Sequence, residues 1–224
     1  MLKAKKSNRL EKVFAIYNRN LIKRRFHSIQ VSGLEILENR NKLFPLIVYA
    51  NHSSWWDGLV AFQISRKANL DSFIIMEEKQ LKKLFFFRKL GAFSVARENG
   101  RNAFRSINYA AEILTETENR ALWIFPQGEI LSNEIRPLKF FNGLSHVIKK
   151  VDKCYAVPLA IKYEFLENYK PEIFIRIGAG ELISGGANFF VKRKTQEFEI
   201  QLTQTLDRLK IDIQNKNFAK FEKI

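Results

Sequence analysis

The sequence predicts an α/β fold: a largely parallel central sheet flanked by helices, with an N-terminal basic amphipathic helix. Three patterns carry this expectation. Short apolar runs recur at 45–50, 71–76, 91–96, 121–125, 155–161 and 172–177, and most are continuous rather than alternating, as expected of strands buried on both faces. Helical stripes lie between or after them: Phe104, Ile107, Ala111 and Leu114 in one, and Phe198, Leu202, Leu206, Leu209 and Ile213 in another. Strands that alternate with helices in this way build a parallel sheet. In residues 1–25, nine basic residues face the single acid Glu11, and Leu10, Val13, Phe14, Tyr17 and Leu21 recur at helical spacing.

Taken in order, residues 1–32 read as an N-terminal helical segment, either an ordinary surface helix packed on the domain or a membrane-facing one on an anionic bilayer, and residues 33–224 as one α/β domain, with no internal repeat and no Pro- or Ser-rich linker between them. A chain of 224 residues with 46% hydrophobic content and 20 Phe can bury a full core, which excludes a disordered or low-complexity chain. One cysteine, Cys154, cannot form an internal disulfide, and one Cys with His27, His52 and His146 is too few for most structural zinc sites. No apolar run approaches the ~18 residues of a membrane span. The basic N-terminus lacks the apolar core and cleavage site of a signal peptide. A cytosolic location is therefore expected. The net charge of +15 fits three partners equally at this point: nucleic acid, an anionic membrane face, or a phosphorylated ligand.

Ligand sites in open α/β sheets lie at the carboxyl ends of the strands. The loop after the first run reads Asn51-His52-Ser53-Ser54-Trp55-Trp56-Asp57-Gly58. On a continuous helix His52 and Asp57 would stand about 140° apart, but in a loop entering a helix they can meet. A carboxylate on one imidazole nitrogen leaves the other free as a general base. The plainer reading is a loop histidine and a helix-capping aspartate. A second turn, Phe125-Pro126-Gln127-Gly128-Glu129, follows the run at 121–125; it reads either as a simple strand-to-loop turn or as a source of backbone N–H donors. The third segment runs from Gly91 to Arg97 and on to Arg101 and Arg105, and residues 79–105 hold eight basic residues against one acid. It reads as a solvated charged helix or as a site for phosphate or lipid headgroups.

Together these segments resemble the glycerolipid acyltransferase family typified by 1-acylglycerol-3-phosphate acyltransferases. Asn51, His52 and Asp57 match its N-H-x-x-x-x-D motif in full. Gly91 and Arg97 match the ends of G-x-x-F-x-x-R, with Ser94 in place of the Phe. Phe125, Pro126 and Gly128 match F-P-E-G-T, with Gln127 for Glu and Glu129 for Thr. Val157-Pro158-Leu159 matches a fourth, Pro-centred apolar motif. The resemblance covers about residues 45–160.

It implies acyl transfer from a thioester, acyl-CoA or acyl carrier protein, to the hydroxyl of a lysolipid, with lysophosphatidic acid as the default acceptor. No cofactor beyond the donor substrate is expected. His52 would be the base and Asp57 its orienting acid. Asn51, Arg97, Arg101, Phe125, Pro126, Gln127, Gly128 and Glu129 would form the substrate side, with Arg97 and Arg101 paired to an acceptor phosphate. Gln127 and Glu129 point to an altered acceptor side, so an amino-acid lipid or glycoside is the alternative acceptor. The same resemblance implies a peripheral protein on an anionic, cytoplasmic membrane face, and no nucleic-acid partner. A serine hydrolase is disfavoured because Gly143-Leu144-Ser145-His146-Val147 lacks the second Gly of G-x-S-x-G. A nucleic-acid-binding module has only the charge in its favour.

Overall fold

The computed structural model describes residues 1–96 and 100–224. Why the apolar runs are continuous is clearest at 46–50. This strand, β2 (Leu46–Ala50), is buried at every position. Leu46, Val48 and Ala50 enter one apolar cluster, while Ile47 and Tyr49 enter another on the opposite face. Alternation of side chains in a strand therefore feeds two cores at once.

The elements in chain order are α1 (Asn8–Arg25), β1 (Ile29–Ser32), α2 (Glu35–Glu38), β2, α3 (Asp57–Lys67), β3 (Asp71–Glu77), α4 (Glu78–Lys83), a 3-10 turn (Phe85–Leu90), β4 (Ala92–Val95), α5 (Gly100–Glu116), β5 (Arg120–Ile124), α6 (Gly143–Lys150), β6 (Lys153–Glu164), β7 (Glu172–Ile177), β8 (Glu181–Ser184), α7 (Val191–Gln214), a second 3-10 turn (Phe218–Lys220) and β9 (Glu222–Lys223). Among the described residues the sheet has nine strands in the order β4-β3-β5-β2-β6-β7-β1-β9, with β8 paired to β6. The pairs β4–β3, β3–β5, β5–β2, β2–β6 and β7–β1 are parallel. The pairs β6–β7, β6–β8 and β1–β9 are antiparallel. The fold is thus α/β with a mixed, mostly parallel sheet. Side chains of α5, α6 and α7 pack on one face, and those of α1, α2 and α3 on the other.

The six expected strands are all present, and three more join them. β1, β8 and β9 are short, with no long apolar run to mark them. β1 pairs with β7 over Ile29–Ser32, so the segment 1–32 supplies a strand of the central sheet as well as a helix.

α1 is capped by Ser7, whose hydroxyl accepts the Leu10 N–H at 3.5 Å. Its buried face is Phe14, Asn18 and Ile22, spaced at i, i+4 and i+8. Phe14 meets Phe62 of α3 edge-on at 5.0 Å, and the Asn18 amide donates to the Leu59 carbonyl at 3.0 Å. Val13, Ile16 and Tyr17 lie outside that face and are exposed. The stretch ahead of α1 is strapped to β4: Leu2 donates to Ser94 Oγ at 2.6 Å, and Ser94 returns its N–H to the Leu2 carbonyl at 2.9 Å. Gly91, which leads into β4, has φ of +99°, and a Cβ there would stand 2.6 Å from the Ser72 carbonyl oxygen. Only glycine accepts that backbone at that distance.

Candidate active site

β5 and β6 flank β2 on either side and run parallel to it, so all three send their carboxyl ends to one edge of the sheet. The loops leaving β2 and β5 are therefore neighbours. β6 has 12 residues against the five of β2 and extends past it; their pairing ends at Ala50 opposite Leu159. That topology brings three pieces of chain around His52.

The imidazole is held from two directions. Its Nδ1 lies 2.8 Å from Asp57 Oδ2. Its ring stacks on Phe125, with centroids 4.6 Å apart and planes at 24°. The backbone of His52 is fixed as well: its N–H donates to Gln127 Oε1 at 2.9 Å, and its carbonyl accepts the Leu131 N–H at 2.8 Å. Among the described residues Nε2 has no protein partner, and the side chain is 22% exposed, so this nitrogen is the one open to a substrate.

Asp57 is fully buried. Its Oδ2 accepts the Ser53 and Ser54 N–H groups at 2.7 and 2.9 Å in addition to His52, and its Oδ1 accepts the Tyr163 hydroxyl at 2.6 Å. Four donors on one carboxylate offset its loss of water. As the first residue of α3, Asp57 also sits where the helix dipole favours a negative charge. The plain capping role is not what the geometry gives. The N-cap position belongs to Trp56, which makes no side-chain cap, and the Asp57 carboxylate turns back into the loop instead. Burial and the Asp57 charge raise the pKa of Tyr163 far above its ordinary value, so the phenol is a neutral donor.

Asn51 faces inward. Its Oδ1 accepts the Ile161 N–H at 2.8 Å, and its amide donates to the Ile161 carbonyl at 2.9 Å and to Asn133 Oδ1 at 2.7 Å. Gln127 is also buried and is turned onto the His52 backbone. The polar atoms of Asn51 and the Gln127 carbonyl are thus engaged within the chain, on Ile161, Asn133 and the His52 backbone. The Gly128 N–H closes the turn onto the Phe125 carbonyl at 3.0 Å, with Gly128 at φ of 75°. That donor is spent, and Pro126 has none. Pro126 is buried and Glu129 is exposed. Arg101 is exposed in the first turn of α5, beyond β4, three strand positions from β2. Arg97 lies outside the described residues. Ser94 is buried, and its oxygen is shared between Leu2 and Glu78, so it is a structural residue of β4.

No local motif in the sequence marks Tyr163. The one signal that could have found it is strand period: it lies two residues beyond Ile161 and so points to the same face of β6.

A buried carboxylate on one imidazole nitrogen, with the other nitrogen unpartnered among the described residues, at the carboxyl end of a central strand, is an arrangement that general acid–base chemistry can use. The Acyltransferase family model matches residues 28–162, more than half of the chain. The protein therefore belongs to the Acyltransferase family, whose general reaction is acyl transfer to a lipid acceptor. A search of curated proteins finds no match.

Proposed function

We propose that this protein moves a fatty acyl group from a thioester donor, acyl-CoA or acyl carrier protein, to the hydroxyl of a lysolipid. Lysophosphatidic acid is the default acceptor and phosphatidic acid the product. The observation that carries this reading is the 2.8 Å bond from His52 Nδ1 to a buried, fully hydrogen-bonded Asp57, with Nε2 left open. Nε2 takes the acceptor's hydroxyl proton as that oxygen attacks the thioester carbonyl. Asp57 holds the tautomer and stabilises the imidazolium, as the acid does in a catalytic triad. Collapse of the tetrahedral intermediate breaks the carbon–sulfur bond, and the departing thiolate recovers the proton from His52. The acceptor's own hydroxyl takes the place of a serine, so the reaction needs no covalent enzyme intermediate and no cofactor besides the donor.

Lysolipids and their products are bilayer components, so we assign the protein a peripheral position on the cytoplasmic face of an anionic membrane. Exposed Val13, Ile16 and Tyr17 among the basic residues of α1 support this, as do exposed Phe85 and Phe86 beside Lys82, Lys83 and Lys89. Among the described residues no helix is long and apolar enough to cross a membrane. Arg101, together with Arg97, is assigned to the acceptor phosphate.

The test is a radiolabelled acyl-transfer assay over a panel of acceptors, with lysophosphatidic acid first and His52→Ala as the blank. Transfer by the wild type and none by the variant is expected. Equal turnover by a folded His52→Ala protein would overturn the mechanism. Transfer confined to an amino-acid lipid or a glycoside would replace the default acceptor.

A further inference from the structure

We propose that Tyr163 is a positioning residue of the dyad, setting the orientation and basicity of Asp57 and through it of His52. This rests on the reading of His52 and Asp57 as an acyl-transfer base.

Tyr163 lies one residue beyond the family match, outside every motif recognised in the sequence. It is carried by the part of β6 that outruns β2. In that projecting segment two residues on the same face of the strand reach back to the loop after β2. Ile161 holds Asn51 through its backbone N–H and carbonyl. Tyr163 holds Asp57 through its hydroxyl at 2.6 Å. The phenol is the one donor on Oδ1 among the described residues, whereas Oδ2 serves His52, Ser53 and Ser54. A carboxylate bound on one oxygen alone can swing about its Cβ–Cγ bond; a donor on the second oxygen removes that freedom. The same bond disperses the carboxylate charge and so limits how strongly Asp57 favours the imidazolium.

The tyrosine is itself fixed. Its ring lies 5.7 Å from Phe26, and Phe26 meets Trp56 edge-on at 5.0 Å. Phe26, which follows α1, and Ser54 of the loop before α3, which hydrogen-bonds the phenol, are both neutral. On β6 the charged neighbours Lys162 and Glu164 pair with each other at 2.6 Å, on the other face of the strand. From the β5 loop, Gln127 and Phe125 are neutral. Among the described residues Tyr163 is then the titratable group in contact with the pair.

The experiment compares wild type, Tyr163→Phe and Tyr163→Leu in the full chain. Three quantities are read: the pH–rate profile of acyl transfer, the downfield proton resonance of the His52–Asp57 hydrogen bond, and Tm. Tyr163→Phe keeps the ring and its packing on Phe26. It is expected to hold Tm near wild type, lower kcat about tenfold with little change in KM, and move the acid limb of the profile to higher pH. A fall of that size matches one hydrogen bond to a charged group. The downfield proton is expected to shift as well, because the carboxylate has lost a donor. Tyr163→Leu should add a loss of Tm. If Tyr163→Phe leaves the proton and the acid limb in place, or if kcat follows Tm across the two variants, Tyr163 only fills space and the proposal fails. The proton resonance needs no turnover. A wild type without acyl transfer whose proton still responds to Tyr163→Phe would remove the proposed function and leave the positioning role standing.

Discussion

Gln127 Oε1 accepts the backbone N–H of His52 at 2.9 Å. One of the two residues that depart from the F-P-E-G-T pattern thus holds the His52 backbone, reached across the parallel pair β2–β5. The contact requires an acceptor at this position, and an amide carbonyl satisfies it as a carboxylate would. Gln127→Glu is expected to fold and to retain transfer within severalfold. Gln127→Leu leaves a buried N–H without a partner, at about 1–3 kcal/mol. Denaturant titration of the two variants measures the difference. A Leu variant as stable as wild type would show that the bond contributes nothing.

Asn51 performs a similar task on the other side. Its amide spans Ile161 and Asn133, tying the loop after β2 to β6 and to the loop after β5. In Asn51→Ala the Ile161 N–H loses its acceptor. Asn51→Asp keeps that acceptor but sets a second oxygen against the Ile161 carbonyl. Each variant is expected to lose about 1–3 kcal/mol, and a chain of this length loses roughly 2–4 °C of Tm per kcal/mol. Scanning calorimetry tests this. Transfer measured well below both transitions should also fall, because the loop that carries His52 is no longer held.

These supports explain what was legible in the sequence and what was not. The six strands that lie in continuous apolar runs, with α1, α5 and α7, are readable because burial writes itself into apolar spacing. For His52 and Asp57, spacing after a buried strand leaves both a pair and a plain loop-and-cap reading open, and it is the resemblance to the N-H-x-x-x-x-D motif that pairs them. Asn51, Gln127 and Tyr163 act at sequence separations of 110, 75 and 106 residues. No local pattern records a hydrogen bond across a sheet. For the same reason Gly128 read as a backbone donor, when its N–H closes its own turn. β1, β8 and β9 carry no continuous apolar run, unlike the equally short β4, so only their pairing partners mark them as strands.

The acid limit of stability should be set in part by Asp212, near the end of α7. Its side chain is 5% exposed and pairs with Arg176 and, at 2.7 Å, with Lys220. Burial alone would raise its pKa. Lys220, Asn217 and Arg176 together outweigh burial and hold it below the ordinary carboxylate value. A depressed carboxylate contributes stability that is present above the unfolded-state pKa, about 3.9, and is lost as pH falls through the lower folded value. Asp212→Asn should therefore be less stable than wild type, by about 2 kcal/mol, from pH 8 down to about 5. The gap should begin to narrow as pH falls through about 3.9, the unfolded-state value, and should close only once the lower folded value has been passed and the wild-type carboxylate has taken up its proton. Urea unfolding at a series of pH values tests this, and a gap independent of pH would exclude a charged role for Asp212.

The exposed side of α1 offers the sharpest test of membrane docking. Buried Phe14 packs between exposed Tyr17, at 5.8 Å, and exposed Phe86, at 6.1 Å, and so ties the exposed aromatics of the helix to those of the 3-10 turn. Val13 and Ile16 extend it and are 64% and 58% exposed. Arg9, Lys12, Arg19 and Lys23 are exposed on the same helix. An anionic leaflet would gain about 1 kcal/mol from each basic residue held near it, and more from apolar side chains that leave water. A Val13→Ser, Ile16→Ser double variant touches no buried contact, so Tm should stay near wild type. Its affinity for anionic vesicles at physiological salt should fall at least tenfold, because each aliphatic group withheld from the bilayer is worth about 1.5–3 kcal/mol when fully buried. Transfer to a short-chain, water-soluble acceptor should persist, since the dyad is untouched. Vesicle sedimentation unchanged by the double variant would mean that this face is not the one that meets the membrane.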